Sequence, residues 1–318
     1  MGLAENPTDF SVFERARQDD GATFVDPTER SALTTPPGLA TFATKPYCEV
    51  LELSHNIVTL TTDFGSSDHY VGVMKGVILS VNPDAEIVDI CHDIRPYDVL
   101  EGAFAIAQAY SYFPLGAIHL VVVDPGVGSA RRPLLVGTSR HFFIAPDNGV
   151  LSLVYAREPD ILARHITSSH YFLEPVSQTF QGRDIFAPVA GWLSRRVDPD
   201  KFGDPIEDFV RFAPPQPKRV NERLLKGVVM RVDHFGTLIT NFSATDIPQL
   251  FGENPPPFKI MVGKSEVTKM KSSYSQGVPG EIFVILGSGG YLEISANRAS
   301  ASQALGVGKG AEVGVILG

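Results

Sequence analysis

The period of the hydrophobic pattern changes once along this chain, and no other feature constrains the fold as much. From Asn56 to about Arg196, apolar runs of strand length alternate with stretches whose apolar residues recur every three or four positions. IVTLTTDF reads as a strand and DHYVGVMKGVILSV as a helix; EIVDIC and DVLEGAFAIAQAYSYF repeat the pair, and AIHLVVVD is a third strand. Asp98 stands where the second helix needs an N-cap, with Glu101 three residues on. Strands alternating with helices predict a parallel sheet with right-handed crossovers, and the nearly unbroken run AIHLVVV suits a strand covered on both faces. PLLVGTS, HFFIAP and GVLSLVYA extend this region, and DIFAPVAGWLSRR reads as its last helix.

Beyond the Pro- and charge-rich stretch RFAPPQPKRVNERLL the period becomes two. GVVMRVDHF, TLITNF, FKIMVG, EIFVILG, YLEISAN and AEVGVILG are short strands divided by Gly and Pro turns. The expected fold class is therefore α/β. It comprises an N-terminal α/β domain with a mostly parallel sheet over 56–211, a linker at 212–223, and a C-terminal all-β, barrel-like domain over 224–318. Residues 1–55, mixed and rich in Pro, Thr and Gly, are expected to form a poorly ordered or surface-draped extension.

Composition narrows the function classes. With 43% hydrophobic and 20% charged residues, the 318-residue chain has the make-up of a soluble globular protein. No apolar run reaches the roughly 20 residues that span a bilayer, so no membrane partner is expected. The acidic start MGLAENPTDF lacks a basic, then apolar, leader, and Asn6 departs from the myristoylation pattern. A formal net charge of −9 argues against nucleic acid and fits a cationic small molecule. Cys48 and Cys91 form no CxxC, which suggests a reduced, cytoplasmic protein. The eight histidines show no metal-binding spacing, GVGSAR lacks a nucleotide-loop pattern, and no G-x-S-x-G elbow is present.

Two aspartates directly follow apolar strands, Asp63 in TTDFG and Asp124 in VVVDPGVGSARR. Open α/β sheets bind ligands beyond the carboxyl ends of their strands, so both are candidate ligands, although each would serve equally as a turn residue. In TFQGRDIFAP, charged side chains enter an apolar run, which is costly unless they are paired or used. The residues alone thus point to a small-molecule site containing Asp63, Asp124, Arg131 and 179–184.

Six ordered motifs, TTDFGSSDHYVGVMKG, VVVDPGVGSARR, FIAPDNGVL, TFQGRDIFAP, VDHFGTLITNF and GYLEISANRASA, resemble those of the S-adenosyl-L-methionine hydroxide adenosyltransferases, relatives of the fluorinases and chlorinases. The resemblance runs from about residue 57 to the C-terminus. It implies attack of water or hydroxide on the ribose C5′ of S-adenosylmethionine (SAM), giving adenosine and L-methionine, with no cofactor and no metal. It also implies a homotrimer with active sites at subunit interfaces. By match of position, Asp63 would hold the ribose hydroxyls, and Asp68 and Asp233 would lie near the methionine ammonium. Tyr97, Phe180 and Phe235 would surround the adenosine, where an aromatic face also attracts a sulfonium, while Thr237 and Asn297 complete the substrate-binding set.

The water-handling set implied by the family is Asp–Arg–His. Asp124 and Arg131 match its first two members, but the third falls on Gln181. An amide cannot take up a proton at ordinary pH. Thr237 likewise replaces the usual Asn. Three activities follow as alternatives: hydrolysis of SAM; binding of SAM or adenosine with weak or no turnover; and halide-dependent adenosyl transfer. The carboxylate of Asp124 disfavours the last, since it repels an incoming halide ion by several kcal/mol at about 4 Å in a partly desolvated pocket.

Overall fold

The computed structural model of the protein describes residues 56–252 and 255–318; the expected N-terminal extension, 1–55, lies outside the described residues. The chain divides into two compact units. The first comprises the described residues up to Tyr97, Ala109–Val150 and Tyr155–Val210; the second comprises Asp98–Gln108, Leu151–Val154 and the described residues of Arg211–Gly318.

The first unit is built on seven strands: β1 (Ile57–Thr62), β2 (Glu86–Cys91), β3 (Ile118–Val122), β4 (Pro133–Thr138), β5 (Phe142–Pro146), β6 (Ile161–His165) and β7 (Pro205–Ile206). Their order is β2-β1-β3-β5-β4-β6-β7. β2, β1, β3 and β5 run parallel, as the strand–helix alternation predicts, and the sheet continues antiparallel through β4, β6 and β7. The antiparallel half follows from the short reach between β4 and β5, which leaves room only for a hairpin. β1 and β3 to β5 are almost wholly buried, whereas β2, at the edge, is partly exposed.

Helices α1 (Tyr70–Val81) and α2 (Val99–Ala109) follow β1 and β2, and α3 (Ala187–Ser194) comes after β6. α1 buries Met74, Val77, Ile78 and Val81, which recur at three- and four-residue spacing, against Leu60, Leu120 and Phe186. α3 approaches α1 so closely that a Cβ on Gly191 would lie 2.8 Å from Val81 Cβ. Among the described residues, no helix is long and apolar enough to cross a membrane.

The second unit is antiparallel: β8 (Lys218–Arg219), β9 (Leu224–Val232), β10 (Leu238–Ser243), β11 (Phe258–Val262), β12 (Ser265–Val267), β13 (Ile282–Leu286), β14 (Tyr291–Ala296) and β15 (Glu312–Leu317). They are ordered β12-β11-β15-β9-β10-β14-β13, with β8 on β9. A bridge from Met270 to Val284 ties the end that carries β12 to β13, so the sheet comes close to a barrel around Phe242, Ile260, Ile294 and Val315. α2 buries Phe104 and Ala107 against Met230. Asp98 does cap it: its Oδ1 accepts the Glu101 N–H at 3.0 Å, while Oδ2 pairs with Lys309.

Candidate active site

β1 and β3 are neighbouring parallel strands with Thr62 in register with Val122. Whatever follows them emerges at the same sheet edge. Asp63 lies one residue beyond that pair and Asp124 two, so register alone brings the two carboxylates to one place. Asp63 Oδ2 accepts the N–H of Tyr97 at 2.8 Å. Tyr97 adopts a left-handed φ of 68°, uncommon for a residue with a side chain, and its ring is 74% exposed. Burial pushes the Asp63 carboxyl above its ordinary range; the N–H of Tyr97 and its own N–H oppose this, and the charge of Asp124 adds to the rise.

Asp124 is held by Arg131 in a two-pronged pair: Nε donates to Oδ1 at 2.9 Å, and Nη2 donates to Oδ2. Both side chains are nearly sealed, at 5% and 7% exposed. Arg131 Nη1 is buried with no hydrogen-bond partner among the described residues, which leaves its two N–H groups for a further acceptor. The Arg131 Cζ sits 5.3 Å from the Phe186 ring centroid. Asn148 braces the strand end from behind, its Nδ2 donating to Val123 O at 2.8 Å. Asp147 is used structurally, taking Arg132 Nε at 2.8 Å and Val210 N–H at 2.7 Å.

The turn after Asp124 meets the segment that leads into Gln181. Gly128 has φ +78°, and a Cβ there would lie 2.4 Å from the backbone oxygen of Gln178, so only glycine fits. Phe180 packs edge-on against Tyr70 (5.3 Å) and Phe64 (6.1 Å). Gly182–Phe186 form one π-helical turn ahead of α3, a feature often found beside functional sites. Within it Asp184 is fully buried, accepting Arg183 Nε at 2.5 Å and Ser177 N–H at 2.8 Å. That pair is structural. Gln181 sits half-buried at the start of the turn, its side chain free of hydrogen bonds to the described residues, and Asp68 is exposed.

The remaining candidates lie in the second unit. Asp233 Oδ1 accepts the N–H groups of Phe235 (3.0 Å) and Thr237 (2.7 Å), fixing the turn between β9 and β10. Phe235 is 77% exposed and Thr237 is buried. Asn297 Nδ2 donates to Gly277 O at 2.6 Å. Two groups near Asp233 are absent from the sequence reading. Burial pushes Glu293 up, against the hydrogen bond it accepts from Tyr274 Oη at 2.9 Å, and the Asp233 charge pushes it further. Tyr274 is raised to about 12 by burial and by that same bond. Glu293 was visible only as an acid inside the apolar run YLEISAN.

Residues 58–203 match the SAM hydroxide adenosyltransferase N-terminal domain, and residues 227–314 match the C-terminal domain. The chain belongs to the SAM hydroxide adenosyltransferase family. It is 32% identical over 263 residues to an (R)-S-adenosyl-L-methionine hydrolase of Salinispora tropica, covering 82% of this chain and 98% of that protein. A fluorinase of Nocardia brasiliensis is 29% identical over 291 residues, covering 82% and 97%. Among solved structures, an uncharacterized conserved protein from Thermotoga maritima superposes with a TM-score of 0.76 at 36% identity, covering 82% of this chain and 99% of that one. The family match spans both units and contains every candidate residue named above.

Proposed function

We propose that this hydroxide adenosyltransferase hydrolyses SAM. Water attacks ribose C5′, the C5′–S bond breaks with its electron pair going to sulfur, and adenosine and L-methionine leave. The water proton passes to Asp124 and then to solvent. Because a sulfonium departs as a neutral thioether, no acid is needed at the leaving atom, and no cofactor is needed for the chemistry. What remains is to align the water, take its proton and exclude its competitors.

The observation that carries this reading is the sealed Asp124–Arg131 pair beside Asp63, with Nη1 left unpartnered among the described residues. Arg131 orients Asp124 through the two-pronged pair, and Asp124 favours a polarised water over a halide ion. Asp63 takes the ribose hydroxyls, Asp68 and Asp233 the ammonium, and Tyr97, Phe180 and Phe235 the nucleoside and sulfonium. Thr237 and Asn297 serve the substrate as well. Gln181 orients the water without carrying its proton. A homotrimer with active sites between subunits accords with the exposed rings of Tyr97 and Phe235, each about three-quarters bare.

Gln181 also supports a second reading, a protein that binds SAM or adenosine with little turnover. Incubation with SAM, with and without chloride or fluoride, followed by chromatography, separates the outcomes. Adenosine and methionine independent of halide are expected. Tight binding by calorimetry without product would establish the second reading, and a 5′-halo-5′-deoxyadenosine would overturn both.

A further inference from the structure

Asp63 is gripped on both sides by one residue that the mechanism above leaves unused. His92, just beyond β2, places its ring Nδ1 2.9 Å from Thr62 Oγ1. Its backbone oxygen accepts the N–H of Gly65 at 2.8 Å. Thr62 Oγ1 in turn accepts the Phe64 N–H at 3.3 Å. The turn Thr62–Gly65 is therefore pinned immediately before and shortly after Asp63.

The pinning residue is itself held. His92 Nε2 lies 3.0 Å from Asp89 Oδ1, and the carboxylate orients the ring. Lys75 Nζ on α1 donates to Asp89 Oδ2 at 2.5 Å. The carboxylate beside Nε2 assigns the ring proton to that nitrogen, leaving Nδ1 to accept from the Thr62 hydroxyl. Thr62 then has lone pairs for the Phe64 N–H. The donors converge on Asp89, which accepts from Lys75 on one side and faces the Nε2 proton of His92 on the other. Thr62 is fully buried and the His92 ring is 12% exposed, so neither meets substrate as a nucleophile or a base.

We propose that Lys75, Asp89, His92 and Thr62 form a positioning chain that sets the carboxylate of Asp63 for two vicinal hydroxyl groups of a ribose. This rests on the assignment of Asp63 to the ribose, and it adds a cause for that carboxylate's fixed aim. Tyr97 N–H occupies Oδ2 from one side. The chain fixes the main chain that Asp63 hangs from on the other. None of its four members touches the reacting atoms.

Such a chain predicts a loss selective for hydroxyl-bearing ligands. The test is calorimetry of adenosine and of 2′,3′-dideoxyadenosine on the wild-type protein and on His92→Leu, His92→Asn and Lys75→Gln. In His92→Leu, adenosine affinity should fall about tenfold, the worth of one misaligned hydrogen bond to a charged group, while dideoxyadenosine affinity stays unchanged. His92→Asn, which returns a polar atom near the place of Nδ1, should recover most of the loss. Lys75→Gln, on the surface of α1, should show the same selective loss at about two- to threefold, and it guards against a misfolded His92 variant. With SAM as substrate, KM should rise more than kcat falls. Equal losses for both nucleosides, or no loss for either, overturn the proposal, as does a wild type with no preference for adenosine. Failure of the hydrolysis reading looks different: nucleoside binding intact, no product from SAM.

Discussion

Replacing Asp124 by Asn tests both halves of the argument about the sealed pair, because charge and proton capacity leave together. Arg131 is then a guanidinium only 7% exposed with no counter-ion. Breaking a buried pair by removing one partner costs about 3–5 kcal/mol. The amide oxygen still accepts one N–H, so the lower end, about 3 kcal/mol, is expected. For a domain of 150–250 residues each kcal/mol moves the melting point by about 2–4 °C, giving a fall of about 6–12 °C. Hydrolysis should fall at least about 100-fold, the usual loss with a proton acceptor. The double variant Asp124→Asn/Arg131→Met removes the orphaned charge as well. It should regain most of the melting point and none of the rate. Scanning calorimetry and product chromatography on the same preparations supply both numbers. A single variant with near-wild-type turnover removes Asp124 from the mechanism; a double variant no more stable than the single refutes the buried-charge account.

Three further outcomes are expected. Gln181→His should keep or raise kcat, since the imidazole supplies the proton acceptor that the amide lacks; a large fall would give the glutamine a role of its own. Gly128→Ala forces a Cβ against the Gln178 oxygen at φ +78° and should cost about 2–4 kcal/mol and lower kcat, whereas unchanged melting and rate would mean the two segments are not locked together. Burial holds His119 and His141 below the ordinary histidine range, His141 at about 4, so the unfolded chain binds protons there before the folded one does. Their stabilisation is complete above about pH 6.5 and should drain away toward pH 4 at up to ~1.4 kcal/mol per pH unit for each ring. A denaturant midpoint flat across that window, or unmoved by His141→Phe, would discard this.

Much of the fold was legible because burial leaves a period. Apolar runs alternating with a helical period marked β1, α1, β2, α2 and β3, and the change to a period of two after the Pro-rich stretch marked the barrel-like unit. β6 left little trace: Arg164 and His165 interrupt it, and its strand character comes from pairing with β4 and β7. The π-helical turn at Gly182–Phe186 has no period of its own.

The candidate site divides in the same way. Local chemistry announced Asp63, Asp124, Arg131 and the Gln181 stretch, because polar residues ending apolar runs are costly unless used. Chain order could not reveal that Lys75, Asp89, His92 and Thr62 meet around one turn, nor that Glu293 and Tyr274 lie near Asp233. The sequence by itself determined most of the strands and helices, the polar residues that end them, and the family to which they belong. These are matters of neighbours a few residues apart, and of free energies that depend only on them. The tertiary structure decided the places of β6 and β7 in the sheet, the partners of α2, and the grip on Asp63. Those depend on groups that become neighbours only after the chain has closed its long loops.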